Sequence, residues 1–220
     1  MSDIGGRIEI ISLWRASEDT VSVKILVENP SGREIIEFIL LDRIYADMRL
    51  EKGEIDSEML CDIERYAEVS RAYRSACASF ANAPSSLIGL KRKLIAKGFS
   101  RDACDAAIAM IESDGFVRED EIAARRAQIC AGKLWGRNKI LAKLREEGFS
   151  SIAIEEAIAA LDDTDFDSGC TTVIRKKYGC VPSDRRELEK MYSYLSRQGY
   201  SSAEIHKAVR FIKAEDRDEE

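Results

Sequence analysis

The chain has 220 residues with 34 Lys or Arg, 40 Asp or Glu and one His, which gives a formal net charge of −6 at pH 7. A content of 45% hydrophobic and 34% charged residues is typical of a globular protein of one or two domains, and it excludes a disordered or collagen-like chain. The negative total argues against a protein that binds nucleic acid through its overall charge.

The apolar segments are too short for a membrane protein. No run approaches the roughly 18 apolar residues that a membrane-spanning helix needs. The first segment, MSDIGGRIEIISLW, contains Arg7 and Glu9 within its apolar stretch and therefore lacks the pattern of a secretory signal. We expect a cytoplasmic protein that does not contact a membrane.

The cysteine spacing favours a structural role over chemistry. No two cysteines form a CxxC pair, and no histidine is spaced to complete a metal site. In a cytoplasmic protein we therefore expect reduced thiols that act mainly as small hydrophobic side chains. The six residues are Cys61, Cys77, Cys104, Cys130, Cys170 and Cys180.

The first part of the chain has the alternation of a β-strand. Val21, Val23, Ile25 and Val27 are separated by mostly polar residues, which is the pattern of a half-buried strand. Two further β-rich runs cover residues 8–14 and 34–41, and the Asn-Pro-Ser-Gly sequence at 29–32 predicts a turn. These runs predict a small three-stranded antiparallel sheet in an N-terminal extension, residues 1–55.

A repeat appears after the extension, where three segments align on a glycine. Gly98, Gly148 and Gly199 are 50 and 51 positions apart, and the same residue types surround each of them. A leucine lies four residues before each glycine, and an aromatic residue and a serine follow it. The aligned segments are LKRKLIAKGFSRDACDAAIAMI, ILAKLREEGFSSIAIEEAIAAL and MYSYLSRQGYSSAEIHKAVRFI.

This spacing predicts a corner between two helices in each copy. The glycine allows the left-handed conformation that ends the first helix, the aromatic residue packs back over that end, and the serine caps the second helix. The second helix has apolar residues at matched positions, which predicts that one face is buried. These residues are Ala107, Ile108 and Ile111, then Ala157, Ile158 and Leu161, then Ala208, Val209 and Ile212.

A further helix is predicted before each corner, at 71–82, 119–132 and 169–178, and Pro84, Gly136 and Pro182 separate these helices from the corners. The chain is therefore predicted to be mainly α, with three tandem three-helix repeats in an elongated, curved array. The expected boundaries are 1–55 for the β-rich extension, 56–117, 118–166 and 167–213 for the repeats, and 214–220 for an acidic tail.

The charges are sorted in phase with the repeat. Residues 69–101 and 122–145 each contain seven basic residues and no acidic one, whereas 102–121 contain seven acidic residues and one basic, and 146–167 contain eight acidic residues and no basic one. Such charges can simply solvate amphipathic helices. Because the sorting recurs with the repeat, we predict an electrostatic docking surface instead. Its candidates are Lys91, Arg92, Lys93, Lys97, Arg125, Arg126, Lys133, Arg137, Lys139 and Lys143.

Known catalytic and nucleotide-binding motifs are absent from the sequence. His206 occupies a solvent-facing position of the repeat, and the aspartates at 162, 163, 165 and 167 lack the glycine and glutamate of a calcium loop. Trp135 has two interpretations, a base-stacking residue or an anchor of the second corner. We expect no catalytic residue, no cofactor and no metal site.

The Leu-x-x-x-Gly-[Phe/Tyr]-Ser corners, the segment from Lys133 to Arg137, the acidic stretches and the β-rich extension together resemble the RecX family of RecA regulators. The resemblance covers nearly the whole chain and is strongest over residues 71–161. It implies a non-enzymatic modulator that binds along the groove of the RecA–DNA filament and hinders filament extension, ATP hydrolysis and strand exchange. The third repeat departs from the family pattern, because its first helix is unusually polar and its corner is poorly basic.

Two other functions remain compatible with the residues. Tandem three-helix units are also found in proteins that bind DNA directly, and a helical scaffold for another protein would share every structural feature. The acidic extension and tail argue against strong autonomous DNA binding, so a weak direct DNA contact is the expectation. We expect a monomer, because stacked repeats bury one another's apolar faces.

Overall fold

A computed structural model describes residues 6–30 and 32–218, with side chains described as far as residue 216. The strands are β1 (Ile8–Arg15), β2 (Thr20–Asn29), β3 (Gly32–Leu41) and β4 (Gly53–Glu54). The helices are α1 (Asp42–Met48), α2 (Ser57–Asn82), α3 (Leu87–Ala96), α4 (Arg101–Asp114), α5 (Glu119–Gly132), α6 (Arg137–Glu147), α7 (Ser151–Ala159), α8 (Phe166–Tyr178), α9 (Arg185–Arg197) and α10 (Ser202–Asp218). Within the described residues, no helix combines the length and apolar composition that crossing a membrane requires.

The strands form one antiparallel sheet in the order β3-β2-β1-β4. The alternating valines and isoleucine of β2 are all buried on one face of this sheet. Opposite them, Ile8 and Ile10 of β1 and Leu40 of β3 extend the same buried face. The predicted alternation is therefore confirmed in β2, and the two other β-rich runs also form strands.

The prediction of three strands is wrong, because the described sheet has a fourth. Strand β4 pairs Gly53 with Ile10 and Glu54 with Glu9. The chain reaches it through the short helix α1, which ends at Arg49 in the left-handed conformation with φ +51°. A strand of two residues is too short to show any alternation, and its position depends on pairing with a strand far away in the chain.

The three predicted corners are confirmed in detail. Gly98, Gly148 and Gly199 have φ values of +90°, +83° and +94°. In each corner the amide of the following aromatic residue donates to the carbonyl of the leucine, as in Phe149 N to Leu144 O at 3.2 Å. The serine hydroxyl then accepts from the amide three residues later, at 3.3, 3.2 and 3.2 Å in the three copies.

The described residues divide into two compact units. The first contains the residues up to Pro84 together with Leu90–Val117, and the second contains Ser85–Gly89 together with the residues from Arg118 onward. In the first unit, α2 packs against both β3 and α4. The amide of Leu41 donates to Ser70 Oγ at 3.0 Å, and small buried side chains such as Ala72 and Ala107 allow close helix packing.

The second unit has one continuous core that includes side chains from α5 to α10. Helix α5 packs against α7, and α8 packs against α10. Gly136 lies directly against the third corner, where its amide donates to Gln198 O at 2.8 Å and the amide of Asn138 donates to Gly199 O at 3.1 Å. A Cβ at position 136 would lie 2.3 Å from the carbonyl carbon of Gly199. Only a glycine allows this approach of the two backbones.

A related contact involves the second corner of the same unit. The Ser86 hydroxyl donates to Glu147 O at 2.6 Å, and the Leu87 amide donates to Glu119 Oε1 at 2.6 Å. The start of α6 is thus hydrogen-bonded to the third corner, and the start of α3 is hydrogen-bonded to the second corner. Helices α2 to α10 follow one another along the chain as three groups of three would. The boundaries of the repeats and the curvature of the array remain predictions. Helix α10 continues into the predicted acidic tail, and residues 219 and 220 of that tail lie outside the described residues.

Candidate functional site

The predicted basic residues lie on α3, α5 and α6 and on the residues that immediately follow α3 and α5. Leu90 and Leu94 of α3, like Ile140 and Leu144 of α6, are buried. Because these residues recur every four positions, they hold one side of each helix against the core. The basic side chains between them extend toward the surface, where all ten are half-buried or exposed.

In the first unit, the basic side chains bind groups of their own unit. Lys91 forms an ion pair with Asp105, and Lys93 Nζ donates to Ala83 O at 3.1 Å. Lys97 Nζ donates to both Ser75 Oγ and Ser79 Oγ at 2.8 Å. Arg92 is exposed beside them. A partner that binds Lys91 or Lys97 would therefore have to replace an existing contact.

In the second unit, acidic side chains neutralise three of the candidates. Arg126 Nε lies 3.1 Å from Glu147 Oε2, and Lys143 Nζ lies 3.8 Å from Glu147 Oε1 and 3.0 Å from Glu146 Oε2. The hydrogen bond to Glu146 raises the pKa of Lys143 above its usual value. Arg137 lies 3.8 Å from Asp162 and stacks over the Phe166 ring at 5.2 Å. The sorted acidic and basic stretches thus meet in space at these residues.

Lys139 and Trp135 form part of the third corner's surroundings. Lys139 Nζ lies 4.1 Å from the centre of the Trp135 ring and donates to Gln198 Oε1 at 2.8 Å. Trp135 is half-buried and packs against the core of the second unit. This contact favours the interpretation of Trp135 as a corner anchor.

Arg125 and Lys133 differ from the other candidates of the second unit. Both side chains are exposed, and neither has a carboxylate within ion-pair distance in the described part of the chain. Their charges are therefore available to an external anion without the loss of an internal ion pair.

The sequence candidates did not include a basic cleft in the second unit, which we call the lysine cleft. It has a volume of about 470 Å³ and lies where the C-terminal ends of α5, α8 and α9 meet. Besides Lys133, which is one of the sequence candidates, its signal in the sequence was the run Arg175-Lys176-Lys177, since Tyr194 and Gln198 come from a different helix. The residues lining it are Lys133, Leu134, Val173, Lys176, Lys177, Tyr194 and Gln198.

Two other features singled out in the sequence, His206 and the aspartate cluster, lie at the surface of the second unit. His206 is exposed, as predicted, and its ring lies edge-on to Tyr192 at 5.3 Å. Asp165 caps α8 by accepting from the amide of Ser168 at 3.0 Å, and Asp167 pairs with Lys207. These aspartates therefore stabilise a helix start and an ion pair at the surface.

The six cysteines differ in burial. Cys104, Cys130 and Cys170 are buried, as predicted for small core residues, whereas Cys77 is half-buried and Cys61 and Cys180 are exposed. Burial raises the pKa of all three buried thiols, and it raises that of Cys170 to about 12. The buried thiols are therefore protonated and poor nucleophiles at neutral pH.

Comparison with known proteins gives consistent relatives, although the sequence matches no protein-family model. The chain is 32% identical over 123 residues to the regulatory protein RecX of Xanthomonas axonopodis pv. citri (strain 306), which covers 56% of this chain and 75% of that protein. It is 26% identical over 120 residues to the regulatory protein RecX of Chromobacterium violaceum, covering 54% of this chain and 76% of that protein.

Solved structures show the same fold over more of the chain. A crystal structure of a regulatory protein RecX matches with a TM-score of 0.72 at 15% identity, covering 92% of this chain and 98% of that one. The RecX structure from Lactobacillus salivarius matches with a TM-score of 0.56 at 16% identity, covering 67% of this chain and 97% of that one.

Proposed function

Because the chain belongs to the RecX family of regulatory proteins, we propose that it is a cytoplasmic, non-enzymatic modulator of the RecA recombinase. The observation that carries this proposal is the 32% identity across 75% of a RecX relative. We propose further that the protein binds along the groove of the RecA–DNA filament as a monomer. There it hinders filament extension, ATP hydrolysis and strand exchange, and so acts in DNA repair and recombination.

The helical part supplies the proposed docking surface as three tandem three-helix repeats, residues 56–117, 118–166 and 167–213. The matching corner geometry of Gly98, Gly148 and Gly199 supports a repeated unit. The backbone contact between Gly136 and Gly199 supports direct packing of the second repeat on the third. Repeats that are joined in this way present their helices in a fixed series, which suits a filament whose subunits also recur.

The ten predicted basic residues are the proposed contact set, and their surroundings predict different contributions. Arg125 and Lys133 can form new ion pairs without losing an internal one. A basic residue that already has an ion pair must give up its own carboxylate to bind an anion of the partner, so its net contribution to the binding free energy is expected to be small. This applies to Lys91, Arg126 and Lys143. The exposed pair is therefore expected to dominate the electrostatic part of docking.

The proposal is tested by the DNA-dependent ATPase activity of RecA at increasing amounts of the protein. We expect inhibition well below one molecule per RecA protomer if filament ends are capped, and near stoichiometric inhibition if the groove is coated. The double variant Arg125→Ala/Lys133→Ala should need about fivefold more protein, since two exposed ion pairs together contribute roughly 1 kcal/mol.

The matched control is Arg186→Ala/Lys190→Ala, which removes the same charge from exposed positions of α9. It should inhibit like the unmodified protein. No effect of the unmodified protein on RecA at any ratio would refute the proposed function. Equal inhibition by both variants would retain the RecA modulator and refute the docking role of Arg125 and Lys133.

A further inference from the structure

The lysine cleft is a concave, positively charged surface in the second unit. Within the described residues, its lining contains three lysines and no acidic side chain. None of Lys133, Lys176 and Lys177 has a carboxylate partner there. Elsewhere in the same unit, Lys207 pairs with Asp167 and Arg175 pairs with Glu215. The cleft is distinguished by the convergence of three such lysines on one concave surface.

The negative ends of three helices offset only part of this positive charge. Helix α5 ends at Gly132, α8 at Tyr178 and α9 at Arg197, so three C-terminal ends face this region. Each end carries about half a negative charge, and lysines in a last turn stabilise such ends. The three positive charges of the lysines exceed the roughly one and a half negative charges of the three helix ends. A net positive charge of about one and a half is therefore left for an external anion.

The walls of the cleft are held in place by contacts within the unit. Lys177 Nζ lies 3.2 Å from the centre of the Tyr194 ring, which itself lies edge-on to Tyr178 at 6.4 Å. The hydroxyl of Tyr200 donates to Leu134 O at 2.8 Å and so fixes the wall next to Lys133. Leu134 has a φ of +60°, which this contact helps to hold. The charges are therefore preorganised, which lowers the cost of binding.

We propose that the lysine cleft binds the phosphodiester backbone of nucleic acid. Lysine binds phosphate as a point charge, and the successive phosphates of a nucleic acid supply a negative charge for each of the three lysines that line the cleft. Its apolar lining is limited to small parts of Leu134, Val173 and the tyrosine, which offers no pocket for an aromatic anchor of a protein partner. This site goes beyond the proposed function, because it acts without RecA.

The test measures binding of fluorescently labelled oligo(dT) to the full chain by anisotropy, at salt concentrations between about 50 and 200 mM. The variant Lys133→Gln/Lys176→Gln/Lys177→Gln removes the three charges. Its matched control, Arg186→Gln/Lys190→Gln/Lys213→Gln, removes the same charge from exposed positions outside the cleft. A second variant, Lys133→Gln/Lys176→Gln, keeps the contact between Lys177 and Tyr194 in case the triple variant does not fold.

We expect the slope of log affinity against log salt to fall by about 2 in the cleft variant, since each lost contact to single-stranded DNA removes about 0.7. The double variant should lose about 1.4 and the control should lose much less. Equal slopes for cleft and control variants would overturn the proposal, as would no binding of the unmodified protein at low salt.

A competition with polyglutamate separates phosphate from carboxylate recognition. We expect oligo(dT) to displace labelled polyglutamate from the cleft, and the reverse displacement would overturn the proposal. RecA inhibition and oligo(dT) binding are also measured on Lys176→Gln/Lys177→Gln, which leaves Lys133 of the proposed docking set in place. Retention of RecA inhibition by this variant, together with weaker oligo(dT) binding, supports a site that is independent of RecA. Loss of RecA inhibition by a variant that still binds oligo(dT) normally would assign the cleft to a protein partner and overturn the nucleic-acid site.

Discussion

The contact between Gly136 and the third corner can be tested by a single methyl group. In Gly136→Ala, the new Cβ would lie 2.3 Å from Gly199 C, 2.4 Å from Gly199 O and 2.4 Å from Tyr200 N. All three are backbone atoms, so no side-chain rotation relieves the overlap. The φ of Gly136 is −75°, which alanine adopts without strain. Gly136 is also the N-cap of α6, where alanine is the poorer residue by less than about 1 kcal/mol, so any larger loss of stability reports the close approach of the two backbones.

The cost follows from the overlap and from the hydrogen bonds that it separates. Overpacking of a tightly packed site typically costs about 1–3 kcal/mol. Moving the two segments apart also weakens the hydrogen bonds from Gly136 N to Gln198 O and from Asn138 N to Gly199 O, each with a net value of about 1 kcal/mol. We expect a loss of about 2–4 kcal/mol in the free energy of unfolding, or a decrease in Tm of roughly 5–15 °C.

The measurement is urea unfolding followed by far-UV circular dichroism and tryptophan fluorescence. Gly132→Ala is the matched control, because position 132 lies near the same corner and a Cβ there would have no neighbour within 4 Å. As an alanine near the end of α5, it should stabilise the helix by about 0.5–1 kcal/mol. If Gly136→Ala unfolds at the same urea concentration as the unmodified protein, the proposed close contact is wrong.

Two further predictions concern a carboxylate and the thiols. Asp114 accepts hydrogen bonds from Arg43 at 2.7 and 3.1 Å, and this guanidinium lowers the pKa of the carboxyl group. A carboxyl group with a lowered pKa stabilises the folded protein at a pH above its unfolded-state pKa, and this stabilisation is lost as the pH falls through the folded-state pKa. Asp114→Asn should therefore cost about 1 kcal/mol in the free energy of unfolding at neutral pH and much less in acid, as measured by thermal unfolding. In native protein at pH 8, a thiol reagent should label Cys61 and Cys180 rapidly and Cys170 only on unfolding; equal rates for Cys170 and Cys61 would contradict its burial.

The parts of the fold that were predictable are those that local chemistry decides. At each corner, the glycine, the aromatic residue and the serine lie within three consecutive positions, and together they specify where one helix ends and the next begins. The same holds for β2, whose alternation covers enough residues to reveal its buried face. Strand β4 and helix α1 were missed because their positions depend on pairing and packing with distant residues.

The charges show where local chemistry stops being sufficient. The basic stretches can be read directly from the sequence, but a charge count along the chain contains no information about which carboxylate folds back onto which lysine. Glu147 neutralises Arg126, which lies on a different helix, whereas Lys133, a few residues further along, meets the ends of α8 and α9.

A basic side chain can form a new ion pair with a partner only where the tertiary fold leaves it without a counterion. Where an ion pair already exists, burying it against a partner adds little to the binding free energy. The strongest anion-binding surface is therefore expected where unpaired lysines from different helices converge, at Lys133, Lys176 and Lys177, and not where the linear density of basic residues is highest.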